Sequence, residues 1–148
     1  MGYRVEIING SNNKKLVLRK VQSVRCVKVK DGLMRFGIPG TTSEEAQIAD
    51  LTFGYFDLEV TFTLQQEDDI DGSTCFTSIP AMMSYIFSDF FTTQNIGVTY
   101  TFKIIRNETG QTAFEKTGAI VNIDISFDAG KGELATGTLR FMVGTVLG

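Results

Sequence analysis

Glu67, Asp69 and Asp71 stand at alternate positions, with Gly72 sixth in the run. A calcium loop begins this way, with oxygen ligands at its first, third and fifth positions and a glycine for the sharp turn. The match ends at the twelfth position, where Ser78 replaces a bidentate glutamate, and a strand rather than a helix leads in. The loop therefore reads as solvated carboxylates near a helix N-terminus, where negative charge suits the dipole. A second constellation is basic: Lys14, Lys15, Arg19, Lys20, Arg25, Lys28 and Lys30 could neutralise phosphates. No aromatic residue lies between Tyr3 and Phe36 to stack on bases, so a charged strand face meeting an acidic neighbour is the better reading. Glu59 and Asp124 are carboxylates on polar strand faces and could be neighbours, but spacing does not set them at a hydrolytic distance. Gly130-Lys131-Gly132 lies between two strands and reads as a hairpin turn, not a phosphate loop.

The chain has no histidine, which removes Ser-His-Asp and Cys-His catalysis and every His-ligated metal site. No catalytic residue, cofactor or metal is expected. Cys26 and Cys75 are too few and too far apart for a disulfide framework and read as reduced thiols in a protein folded in a cytoplasm. The first residues lack the apolar core of a signal peptide, and no apolar run reaches the length of a membrane span. The net charge of −3 hides a division: residues 1–35 carry +7 and residues 36–148 carry −10. Such a chain can attract copies of itself or offer one strand to nucleic acid.

The elements that must position these residues are mostly strands. One exception organises the rest. From Ser78 to Phe91 the apolar residues fall at 79, 82, 83, 86, 87, 90 and 91, the spacing of one helical face. Ser78 suits the N-cap and Pro80 the first turn. Tyr85 falls on the opposite, polar side. Around this helix, strands are expected at 3–8, 15–30, 51–66 and 98–104, with a short return at 112–116 and a final hairpin of 121–127 and 138–143. In 15–30 the apolar phase changes from even positions (Leu16, Leu18) to odd ones (Val27, Val29), which calls for a bulge or bend. Asp31-Gly32 reads as a hairpin turn. Residues 37–50 lose all periodicity and form a long loop, with a helical turn at 43–49 capped by Ser43. Gly137 marks a bend or a close approach of backbone.

These elements make one domain, residues 1–148, of mainly β (α+β) class. It is either an antiparallel two-sheet sandwich or a curled, barrel-like sheet, with one flanking α-helix at about 78–91. The order is a short strand, a long basic hairpin ending at Phe36, the extended loop 37–50, an amphipathic strand, one helix and two terminal hairpins ending in Thr138-Leu139-Arg140-Phe141-Met142-Val143-Gly144. In this layout the chain resembles the tail tube proteins of bacteriophages and contractile injection systems.

That resemblance implies a structural protein of the virion tail, assembled in the bacterial host cytoplasm and not an enzyme. Its copies would form hexameric rings stacked into a tube, with other tail proteins as partners. DNA, or an effector, would pass through the lumen without sequence-specific binding. By analogy Glu59, Thr61, Thr63, Asn122, Asp124, Ser126, Thr138 and Arg140 line that lumen. Ile38, Pro39, Glu44 and Glu45 belong to the loop that reaches the next ring. Other readings are a tail terminator or baseplate part, which forms one ring and stops, and a ligand-binding β module.

Overall fold

The computed structural model describes the chain except for Met1, Ile38, Thr41, Ser43, Glu45, Thr93, Gln94 and Asn95. Nine strands are present among the described residues: β1 Tyr3–Asn9, β2 Lys15–Leu18, β3 Lys20–Lys30, β4 Leu33–Phe36, β5 Gln47–Asp50, β6 Gly54–Gln65, β7 Tyr100–Arg106, β8 Thr112–Phe127 and β9 Leu134–Val143. Seven form one antiparallel sheet in the order β2-β1-β7-β8-β9-β6-β3, and β4 and β5 form a separate ribbon. The fold is thus mainly β with one flanking helix.

The two edge strands of the large sheet, β2 and β3, are consecutive in the chain, with only Arg19 between them. Two residues of extended chain span only about 7 Å, so the sheet must curl until its opposite edges meet at that corner. No ladder joins β2 to β3, and the barrel stays open. The curled sheet, not the sandwich, is the architecture adopted. The phase change expected in 15–30 is resolved twice: the run leaves one sheet edge at Leu18 and starts the other at Lys20, and the β3–β6 register shifts between Val21 and Ser23.

The concave side is lined by Val5, Ile7, Leu58, Val60, Phe62, Leu64, Phe102, Leu139 and Phe141, all buried. The helix α1 fills it. It starts at Ile79 with Ser78 as N-cap, whose Oγ accepts from Ala81 N–H at 3.2 Å, and runs to Ser84. Residues 85–90 then continue as a π-turn, closed by Phe91 N–H donating to Ile86 O at 2.8 Å. The wider i→i+5 turn rotates the face that follows it. Ile79, Met82, Ile86 and Phe90 are buried as the periodicity predicts, but Phe87 swings out to 42% exposure while Tyr85 turns in to 9%. Tyr85 then donates its hydroxyl to Lys15 O at 2.5 Å, tying the helix to β2. Burial, and after it the Asp71 carboxylate, push its phenol up to about 12. Asn9, fully buried on β1, holds the far end: its Nδ2 donates to Phe90 O at 2.9 Å and its Oδ1 accepts from Ser11 N–H at 2.8 Å.

Three local expectations are corrected. Asp31-Gly32 does not reverse the chain. β3 and β6 continue past it as β4 and β5, and the reversal lies beyond Phe36. Cross-strand bonds carry on through the break, from Asp31 and Gly32 N–H to Phe53 O and from Leu51 N–H to Gly32 O. Next, Gln47–Ala49 is strand rather than helical turn, because β4 offers it a ladder; Ser43, the expected cap, lies outside the described residues. Finally, the short strand at 112–116 and the one at 121–127 are a single strand, β8. A register shift between Ile120 and Asn122 inverts its alternation, which is why Ile120 and Ile123 face the core while Val121 is exposed.

Candidate functional site

The eight polar residues singled out in the sequence come together. On β6, Glu59, Thr61 and Thr63 point away from the core because Leu58, Val60, Phe62 and Leu64 point into it. Register does the rest. Glu59 lies opposite Arg140 and Arg140 opposite Asn122; Thr61 lies opposite Thr138 and Thr138 opposite Asp124; Thr63 lies opposite Thr136 and Thr136 opposite Ser126. These three cross-strand rows make one continuous polar patch on the outer face of β6, β9 and β8. Thr136 completes the third row, although its exposed position on β9 follows from the same alternation. Arg25 extends the first row onto β3, opposite Glu59.

Glu59 and Asp124 are not a hydrolytic pair. β9 runs between their strands, and the two residues lie in different rows. Two strand spacings separate them by roughly 10 Å, with Arg140 and Thr138 interposed. Arg140 Nη2 lies 3.5 Å from Asp57 Oδ2, next along β6 on the same face, while Asp57 Oδ1 is buried without a hydrogen-bond partner among the described residues. The rows are therefore mixed in charge and rich in hydroxyls rather than uniformly acidic.

The acidic loop is engaged by the chain itself. Arg19 forms a forked pair with Asp69, at 2.6 and 3.0 Å, and Lys20 reaches Asp68 at 2.5 Å. Asp71 accepts from the backbone N–H of Ser73 and Thr74 at 2.9 and 2.7 Å. The start of the basic strand thus meets an acidic neighbour, as the sequence suggests. The Arg19 hydrogen bond holds the Asp69 carboxyl below its ordinary range. Burial opposes ionisation of Asp71, but the N–H groups of Thr74 and Ser73 outweigh it, and this carboxyl is lowered too.

Both folded-state values lie below the unfolded ones, so their contribution to stability is present above about pH 4 and lost as pH falls through the folded values. Acidification from pH 5 to below 3 should therefore lower the chemical denaturation midpoint. Asp69→Asn should flatten that slope, and equal slopes in parent and variant would exclude the Arg19–Asp69 pair as a cause.

Two further surfaces are notable. β3 offers eleven residues of which only one side pairs, with β6; its other hydrogen-bonding side has no strand among the described residues. The β4–β5 ribbon carries exposed Leu33, Met34, Phe36 and Ile48, each about half or more accessible. Pro39 and Glu44 lie exposed between its strands, whereas Ile38 and Glu45 fall outside the described residues. Cys26 and Cys75 are both free and exposed. No described helix is long and apolar enough to cross a membrane.

No protein-family model matches the chain, and no curated protein does. Among solved structures, it is similar to a chain of the anti-feeding prophage baseplate, seen by cryo-electron microscopy with six-fold symmetry imposed. That likeness has a TM-score of 0.42 and 10% identity, over 99% of this chain and 95% of the other. A score at that level carries no argument about function, which rests on the residues of this chain.

Proposed function

We propose that the chain is a self-assembling structural subunit of a phage-like tail or injection apparatus. In this reading it is a tube protein whose copies form stacked hexameric rings around a channel for DNA or an effector. The observation that carries the reading is the unbroken three-row patch on β6, β9 and β8. A wet face of hydroxyls and balanced charge suits the wall of an aqueous bore through which a polyanion slides without sticking. Two features support assembly. An open strand edge such as β3 invites pairing with another chain, and closing a ring removes it. A ribbon with apolar side chains exposed suits burial against the next ring, through Pro39, Glu44 and their neighbours. The +7/−10 division of charge along the chain favours head-to-tail contacts, which build open filaments.

Electron microscopy of the purified protein at high concentration tests this directly. Rings and tubes are expected, and Phe36→Asp should leave rings but stop them stacking. Single rings that never stack would point instead to a terminator or baseplate part. A protein that stays monomeric in every salt would end the assembly reading. In assembled tubes, Thr138→Cys in a background lacking Cys26 and Cys75 should react with a small maleimide but not with one on a bulky carrier. Equal reaction with both would take the patch out of the lumen.

A further inference from the structure

The ribbon is joined to the body at an irregular place. Between the pairs Lys30–Gly54 and Leu33–Asp50, one side of the ladder has Asp31 and Gly32 while the other has Leu51, Thr52 and Phe53. The extra residue is a bulge, which bends a ribbon and weakens its continuity. Its middle residue, Thr52, sits at φ +62°, in the left-handed region that β-branched residues avoid. Strain of this kind persists only where the surroundings hold it.

Here the holder is Asp50. Its Oδ1 accepts from Thr52 N–H at 2.8 Å, and its Oδ2 pairs with Lys30 on the opposite strand. Leu51 and Phe53 beside it are more than half exposed; they lie over Gly32 across the ribbon, and neither belongs to the buried core of the curled sheet. Among the described residues, the strands beyond the bulge are two short ones paired with each other, and an isolated two-stranded hairpin is marginal in water.

We propose that the β4–β5 ribbon is a pivoting arm, and that the Lys30–Asp50–Thr52 clasp sets its angle to the body. The three residues span the bulge, where the two strands fall out of step by one residue although backbone bonds still cross it, as hinge residues do. Asp50 acts on both sides of it at once: it crosses to the partner strand and it fixes the strained residue of its own. Releasing it frees the bend without touching the curled sheet. The inference concerns the single subunit and stands or falls independently of ring or tube formation.

Spin labels test it in the full chain. With Cys26 and Cys75 replaced by serine, labels at Arg35→Cys on the arm and Thr136→Cys on the body report their separation by pulsed electron spin resonance. The parent should give a narrow distribution. Asp50→Asn removes the ion pair but can still accept from Thr52, and Asp50→Ala removes both contacts. The displaced population should rise in that order, by up to about fivefold for the loss of the ion pair, the upper end for an exposed one. Molar salt should broaden the parent as Asp50→Asn does and leave Asp50→Ala unchanged. Thr52→Asn, which tolerates the left-handed conformation, should keep the parent distribution. Circular dichroism would confirm that each variant stays folded. A distribution equally narrow in parent, Asp50→Asn and Asp50→Ala would overturn the proposal, as would a parent already as broad as Asp50→Ala.

Discussion

Phe90→Ala is expected to cost about 3–5 kcal/mol of unfolding free energy, while Phe87→Ala, three residues earlier, costs less than about 1. Phe90 is fully buried, and its ring meets Tyr100 edge-on with centroids 5.6 Å apart. Removing it opens a cavity between the helix end and β7 and deletes an aromatic pair that contributes about 0.5–1.5 kcal/mol beyond area. Its carbonyl also anchors Asn9, so the cavity lies beside a buried polar contact that cannot relax freely. Against a total stability of about 5–15 kcal/mol, such a loss is large. Phe87 stands outside, turned there by the π-segment. Urea denaturation of both variants checks the pair. A regular α-helix would bury both rings, so equal losses would refute the wider turn.

Gly137→Val should lower stability by at least about 3 kcal/mol, the upper end for overpacking, because nothing near it can yield. Gly137 faces the core between Ala135 and Leu139 on β9. A Cβ there would lie 2.6 Å from Phe62 Cζ and 2.9 Å from Asp124 O. The ring is fully buried and the carbonyl belongs to the backbone of β8, so the ring, the strand or the ladder would have to move. Thermal and chemical denaturation measure the loss. The milder Gly137→Ala should be partly rescued by Phe62→Leu, with a coupling of about 0.5–3 kcal/mol in a double-mutant cycle. Strict additivity of the two substitutions would mean that the ring is not what excludes a side chain.

Gly137 also illustrates what can be read from a chain alone. A glycine in an otherwise alternating strand signals a close approach, and the signal was sound; the identity of the intruder, Phe62 from β6, depends on register. The polar rows follow the same logic. Two-residue alternation is local, so Glu59, Thr61 and Thr63 could be assigned to one side of β6 without coordinates. That they continue into Thr138, Arg140, Asn122 and Asp124 as one surface, and that Glu59 and Asp124 are kept apart by β9, depends on strand order, which no local pattern encodes. The bulge in β8 is hidden from local pattern for a related reason: one inserted residue inverts the alternation, turning Val121 outward while Ile120 and Ile123 face the core.

The misread turn at Asp31-Gly32 has another cause. Asp-Gly is a strong reversal signal when the chain stands alone. Here the partner strand supplies hydrogen bonds on both sides of it, and a continuing ladder outweighs a dipeptide preference. Likewise the residues of β5 have no strand-like period of their own and become a strand because β4 lies opposite.

Fold class, the organising helix and the wet side of β6 and β9 are legible along the chain, because side-chain alternation and helical periodicity are properties of sequence neighbours. Long-range contacts set the rest: the sheet curls until its edges meet at Arg19, the helix loosens into a π-turn that seats Tyr85 and Phe90, and the β4–β5 ribbon continues beyond the bulge at Thr52. Those outcomes depend on which distant backbones find one another, and the free energy that selects among them comes from contacts between residues far apart in the chain.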